Sequence, residues 1–183
     1  MLANQSKSMK WWFIVLIAVT VLIAVSTQLP NTYSSFNEAD IEADQECTHS
    51  MLTDFNSWIK WHFPNSEDVD SIPGAIFFGE AGKAGHEMWV PYGGDTVILV
   101  LTNASMHQVD YEMKFMHRDD LMTGNINLKQ LGNNTLHISW GVEKTIGFKP
   151  LARYMNLFFD INKGESADML RAFERLEEHC KVD

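Results

Sequence analysis

The chain has 183 residues, 45% hydrophobic and 21% charged, with two cysteines. That is enough for one domain with a sizeable core, and it excludes a disordered chain, a collagen, a multi-span membrane protein, a zinc ribbon and a disulfide-dense scaffold. The formal net charge is −10 and no Lys/Arg-rich run occurs, so the basic footprint that nucleic-acid binding requires is missing.

Trp11 to Leu29 carry no charge (WWFIVLIAVTVLIAVSTQL). As a helix this stretch spans roughly 28 Å, close to the thickness of a bilayer's hydrocarbon core. Lys7 and Lys10 precede it, and Glu38, Asp40, Glu42, Asp44 and Glu46 follow it. That bias places the N-terminus in the cytoplasm, with Trp11 and Trp12 as interfacial anchors. Ala24-Val25-Ser26 is a small-x-small site, so a cleaved signal peptide is the alternative. The run exceeds the usual apolar region of roughly 7–15 residues and favours a retained signal anchor. The expected organisation is a cytoplasmic stretch over 1–10, a transmembrane anchor over 11–29 and one domain over 30–183. Lys7 and Lys10 are the only charges before residue 30, so that domain carries −12. Such a surface favours solubility and does not lie down on anionic lipid.

Beyond Leu29-Pro30-Asn31, Tyr33 to Glu42 reads as a first strand of poor pattern. Asp44 to Thr53 reads as a short helix with Asp44 as N-cap, and Phe55 to Trp61 as a second, aromatic-rich one. Pro64 to Gly74 is rich in turn formers and reads as loop. Strands follow at Ala75–Gly79 and His86–Val90, with Glu80 to Gly85 between them and a turn at Pro91–Asp95. Thr96–Thr102 is the most apolar strand. In Gln108–Met116, Val109, Tyr111, Met113 and Phe115 share one face, which turns Glu112 to water. Leu121–Gln130 alternates weakly. Gly132-Asn133-Asn134 is a hairpin turn, and Thr135–Val142 puts Leu136, Ile138 and Trp140 on one face, with His137 on the other. A long helix closes the chain. Pro150 suits its first turn, Leu151, Met155 and Phe158 share a face, and Met169, Phe173, Leu176 and Cys180 continue it. Gly164 marks a weak point within it. Strands grouped before one helix predict an α+β domain, an antiparallel sheet with the helix across one face.

Four stretches carry a family resemblance: LPNTYSSFNEADIEAD as a first strand, MLTDFNSWIKWHFP as a pair of short helices, NNTLHISWGVE as a late strand, and FKPLARYMNLFFDINKGESADMLRAFERLEE as a closing helix. Together they resemble the START-like, helix-grip superfamily, in its SRPBCC or polyketide-cyclase-like branch and its membrane-anchored form. The resemblance covers nearly the whole chain. It implies a curved sheet of six to seven strands around the C-terminal helix, two short helices, a bacterial envelope setting and a periplasmic domain on the inner membrane. The chain departs from the family in its acidic first strand and in Asp44-Gln45-Glu46, where a Pro-Pro pair is usual. Because the superfamily spans carriers, cyclases and co-chaperones, it implies a fold and not one activity.

A helix-grip domain implies a cavity between sheet and helix. The aromatic cluster Trp58, Trp61, Phe63, Phe77, Phe78 and Trp89 suits an apolar ligand, although aromatics also fill ordinary cores. The expected lining is Trp58, Trp61, Phe77, Trp89, Tyr111, Phe115, Trp140, Met155 and Phe159. Met88, Met106, Met113, Met116, Met122, Met155 and Met169 fit plain core filling, or an adaptable wall. The resemblance also puts the short helices against the end of the long one, which implies a Cys47–Cys180 disulfide, allowed outside the cytoplasm.

Chemistry-bearing patterns are thin. His49, His62, His86, His107, His117, His137 and His179 form no metal spacing, and no nucleophile motif occurs. Gly79, Gly82 and Gly85 read as a flexible hairpin and not a phosphate loop. The expected function is membrane-anchored, non-catalytic binding of an apolar small molecule or lipid, with no cofactor and no metal. Two alternatives stay open: an envelope protein-interaction module with a filled core, and an enzyme of cyclase or dehydratase type on a cyclic or polyketide-like substrate.

Overall fold

In a computed structural model of the protein, residues 3–62, 73–132, 134–145, 150–151, 153–154 and 161–181 are described, with side chains from residue 11 in the first helix and residue 164 in the last. The chain forms two compact units, one from residues 1–31 with 147–160, the other from 32–146 with 161–183.

The first unit holds helix α1 (Ala3–Ser26). Residues 11–25 are exposed on every face, as expected of a sequence with no polar stripe to set against an apolar one. Among the described residues no helix is long and apolar enough to cross a membrane. The last carbonyls of α1, which have no helical donors, find other partners. Ser26 Oγ donates to Ile23 O at 2.6 Å, Thr27 Oγ1 to Ala24 O at 2.7 Å and Arg153 Nη1 to Ser26 O at 3.0 Å. Tyr154 Oη donates to Leu22 O at 2.6 Å. Pro150, Leu151, Arg153 and Tyr154, expected to open the closing helix, therefore belong with α1, and Leu151 is 75% exposed instead of packed. Met155 and Phe158 lie outside the described residues.

Among the described residues the second unit is a seven-stranded antiparallel sheet with three helices. The strands are β1 (Thr32–Glu42), β2 (Ile76–Phe78), β3 (Glu87–Tyr92), β4 (Asp95–Ser105), β5 (Gln108–Phe115), β6 (Leu121–Gln130) and β7 (Thr135–Thr145). Their order is β1-β7-β6-β5-β4-β3-β2, a meander whose first strand returns beside the last. A register shift between Leu101 and Asn103 interrupts the β4–β5 ladder, and such an irregularity bends a strand.

The turn expected over Pro91–Asp95 is tighter than that. Tyr92 pairs with Asp95, leaving Gly93 (φ 56°) and Gly94 (φ 82°) as a two-residue loop. A hairpin of that length uses φ > 0 at both positions, which glycine supplies without steric cost. Pro91 is thereby drawn into β3. Beyond Trp89 the short strand β2 no longer pairs with β3, so Pro91 sits on an edge where no donor is needed.

Helix α2 (Gln45–Thr53) begins at Asp44, whose carboxylate accepts from the Cys47 N–H at 2.7 Å. The cap also suits the positive end of the helix. Helix α3 (Trp58–Trp61) is a single turn; the preceding Phe55 to Ser57 form a turn and not the helix expected there. Two indoles fasten α3 to α2: Trp58 Nε1–H donates to Leu52 O at 2.9 Å and Trp61 Nε1–H to Met51 O at 3.1 Å. Each bond satisfies a buried indole and a carbonyl at the end of α2 together.

Helix α4 (Ile161–Cys180) lays Met169, Ala172, Phe173, Leu176 and Cys180 on the sheet, all under 5% exposed. Burying each of the larger ones contributes about 1.5–3 kcal/mol. A Cβ on Gly164 would meet no atom within 4 Å. Asn37 on β1 donates to Ser166 O at 3.2 Å and accepts from Ser166 Oγ at 3.0 Å, while Ser35 Oγ donates to Glu165 at 2.7 Å. At the other end the Asp44 N–H donates to Cys180 O at 2.9 Å, and Cys47 and Cys180 form a disulfide with Cα atoms 5.6 Å apart.

Candidate functional site

Sheet alternation gives one face to α4 and α3 and the other to solvent. Inward side chains form cross-strand rows. Leu99, Met113, Met122 and Lys144 stand in one, joined by the pairs Leu99↔Met113, Met113↔Met122 and Met122↔Lys144. Val90, Val97 and Phe115 stand in the next. Trp58 of α3 and His62, which follows it, face these rows. The result is a cavity of about 310 Å³ lined by Trp58, His62, Val90, Tyr92, Val97, Leu99, Tyr111, Met113, Phe115, Met122 and Lys144. That volume is at the small end of the range for ligand pockets, about 300–1,000 Å³.

One wall is an aromatic framework. Trp58 stands edge-on to Tyr111 with centroids 5.0 Å apart, and Trp61 lies 5.1 Å from Trp58 and 5.8 Å from Trp140. Trp140 Nε1–H donates to the Tyr111 hydroxyl at 3.1 Å. Tyr111 holds its place because its neighbour across the ladder is Gly124: a Cβ there would stand 2.0 Å from Tyr111 Cζ. A glycine inside a strand marks this kind of close approach.

Burial keeps two titratable side chains of the lining, His62 and Tyr111, uncharged. His62 packs between Trp58 (5.2 Å) and Trp140 (5.3 Å). Burial pushes its imidazole down from 6.5 to about 4, with Asp168 opposing and Arg175 reinforcing, so it is uncharged at neutral pH. Burial raises the Tyr111 phenol well above its ordinary value; the Trp140 bond opposes this and the Glu165 charge adds to it. At the rim Arg118 lies 4.7 Å over the Phe115 ring and pairs with Asp95 at 3.4 Å, and His117 Nδ1 approaches the same carboxylate at 2.9 Å. Partial burial would raise the Asp95 carboxyl; the bonds from His117 and the Thr96 N–H outweigh it and hold it below its ordinary value. Among the described residues the cavity lining holds no carboxylate, and no three His, Cys, Asp or Glu side chains converge as for a metal ion.

Of the residues expected to line a cavity, Trp58, Tyr111 and Phe115 do so. Trp61 and Trp140 are buried behind them, at 0% and 2% exposure. Phe77 lies on β2 beside His86, 6.3 Å away. Trp89 points the other way: alternation along β3 gives Val90 and Tyr92 to the cavity, while the Trp89 indole donates to Glu87 at 2.8 Å and lies 5.2 Å from Phe78. Met155, Phe159 and Phe63 lie outside the described residues. The cavity's place is also corrected. No described residue of α4 lines it, because Phe173, 6.3 Å from Trp140, and its neighbours fill the space under that helix. The cavity lies between the sheet and α3. Met113 and Met122 are among the methionines expected as core filling or an adaptable wall; His62, Val90, Tyr92, Val97, Leu99 and Lys144 carry no signal in the sequence that marks them as lining residues.

A larger hollow of about 440 Å³ opens on the outer face, lined by Ser34, Thr102, Asp110, Glu112, Thr123, Asn125 and Glu143, with Phe36. Asp110 there is taken up by Asn103 (3.1 Å), Gln108 (2.9 Å) and Asn125. Hydroxyls and carboxylates suit no apolar ligand, so the inner cavity is the better candidate.

No protein-family model matches the chain, and no curated protein does. Solved structures do. A START superfamily protein from Mycobacterium smegmatis is 12% identical, with a TM-score of 0.53, over 80% of this chain and 97% of that one. Ginseng major latex-like protein 151 from Panax ginseng is 12% identical, with a TM-score of 0.53, over 84% and 100%. A hypothetical protein from Helicobacter pylori is 10% identical, with a TM-score of 0.58, over 81% and 88%. At such identities the likeness concerns the fold alone, and the fold is helix-grip.

Proposed function

We propose that the protein binds an apolar or amphiphilic small molecule, without catalysis, in the cavity between the sheet and α3. The observation that carries this reading is the cavity itself: about 310 Å³ walled by Trp58, Tyr111, Phe115, Met113, Met122, Val97 and Leu99, with its histidine held neutral. Burying apolar ligand surface there gains about 25 cal/mol per Å², and the methionines adapt the wall to varied shapes. A neutral naphthylamine dye, which brightens in apolar surroundings, tests it on the full chain. The dye should bind wild type and bind Met113→Trp at least tenfold more weakly; equal binding to both would place the dye elsewhere and defeat the reading.

We further propose that residues 11–29 anchor the protein in the inner membrane, N-terminus in, with the cavity in the periplasm. The exposed apolar surface of α1, the two lysines ahead of it and the disulfide, a bond that persists in oxidising compartments, support this. Protease added to spheroplasts should remove the Thr32–Lys181 region and spare it in intact cells; protection in spheroplasts would overturn the topology.

A further inference from the structure

We infer that the ligand is an amphiphile with one anionic head group, carboxylate or phosphate, and that Lys144 holds that head. The inference rests on the cavity being the binding site and goes on to the chemistry of what fills it.

Lys144 follows Trp140 and Val142 on the inward face of β7, a row otherwise apolar, and it is half-buried. It is the one lining residue of the cavity, among those described, that carries a charge at neutral pH. Its cross-strand neighbours are Met122 on one side and Tyr33 on the other, so neither offers a carboxylate. The preceding Glu143 faces the outer hollow. The inward carboxylate of Glu165 accepts from Ser35 Oγ. Among the described residues no acid lies within ion-pair distance of Lys144. Arg118, the other cation near the rim, is already paired with Asp95.

An ammonium held over an apolar hollow loses hydration, and it recovers that loss best by pairing with an anion. A lysine at such a place can instead run its stem along the wall and keep its head in water. The two cases differ in what the cavity selects. Residues 30–183 carry −12, so long-range forces repel anions and any preference for them comes from contact at Lys144. At about 30 Å³ per water-sized group, 310 Å³ takes a chain of roughly ten carbons, with the head at Lys144.

The test uses the full chain in phosphatidylcholine nanodiscs with ¹³C-methyl methionine. Met113 and Met122 report binding, and empty discs correct for ligand lost to lipid. Decanoate, decyl phosphate, decanol and decyltrimethylammonium are titrated in turn. Both anions, or the one whose head fits, should bind about tenfold or more tightly than decanol. Lys144→Gln should reduce them to the decanol level and leave decanol unchanged, and Lys144→Glu should turn the preference to the cation. Decanoate alone binding tightly points to a free acid, and decyl phosphate alone to a lipid head; either supports the inference. Anions no tighter than decanol on wild type, or an anion preference that survives Lys144→Gln, overturns it while leaving the cavity a binding site. If none of the four, decanol included, moves the Met113 and Met122 signals, the cavity reading itself fails.

Discussion

Removing the Cys47–Cys180 bond loosens the roof of the cavity. The bond joins residues 133 apart in sequence, and chain-entropy arithmetic for a loop of that length gives about 5 kcal/mol of stabilisation, with about 2–5 kcal/mol typical on removal of a native bond. For a chain of this size each kcal/mol moves the melting temperature by about 2–4 °C, so the loss corresponds to roughly 5–20 °C. The effect is not uniform across the fold. The bond pins the start of α2 to the end of α4, the backbone bond from Asp44 N–H to Cys180 O remains as the neighbouring tie, and α3 hangs from α2 by the Trp58 and Trp61 indoles. Loss of the disulfide is therefore expected to weaken ligand binding before it unfolds the sheet. The perturbation is the Cys47→Ala/Cys180→Ala double variant, with reduction of wild type by a phosphine as the parallel case. Circular dichroism melts and guanidinium unfolding give the stability, and dye binding gives the roof. A double variant that melts within 2 °C of wild type and binds equally would refute the reasoning.

Gly124→Ala places a methyl inside the Tyr111 ring, so the ring must move and give up the Trp140 bond. A loss of about 1–3 kcal/mol is expected, with a changed near-UV dichroism; a neutral substitution would show that the ring is free to turn. Acid should weaken the fold through His62. Its folded value of about 4 lies below the unfolded value of 6.5, so the unfolded chain takes the proton first. The stabilisation is complete above pH 6.5, is lost as pH falls toward 4 and changes no further below that. The full shift corresponds to on the order of 3 kcal/mol. Guanidinium midpoints at pH 7.5 and 4.5 should converge in His62→Phe relative to wild type, and an identical pH slope in both would rule His62 out. Asn37→Ala removes the bond to Ser166 O and the one accepted from Ser166 Oγ, which join β1 to α4. It should cost about 1–2 kcal/mol, and a variant as stable as wild type would mean that water replaces both.

The legible parts of the fold are those where a local pattern and the tertiary packing agree. Asp44 announces α2 because a side-chain oxygen there has only the helix's first N–H groups to accept from. Val109, Tyr111, Met113 and Phe115 announce β5, and Met169, Phe173, Leu176 and Cys180 announce the buried face of α4, because their polar neighbours leave one apolar face. Pro91 misleads, since proline reads as turn unless the pairing partner is known to have ended, and that depends on the length of β2. Trp89 misleads for another reason. Met88, Trp89 and Val90 are all apolar, so alternation cannot say which of them faces inward, and a one-residue change of parity moves every contact. Arg153 and Tyr154 fit a helical pattern, and only the position of the α1 end explains why they leave the grip helix. Lys144 lay beyond the strand assigned as far as Val142; extending that strand by two residues turns a surface lysine into a cavity residue.

The measurement that bears most directly on the binding role is mass spectrometry of the organic extract from purified full-length protein, wild type beside Met113→Trp. One small amphiphile, close to one per chain in wild type and absent from the variant, is the predicted result. An empty extract from both proteins, or the same molecule in equal amount from each, would contradict a ligand held between the sheet and α3.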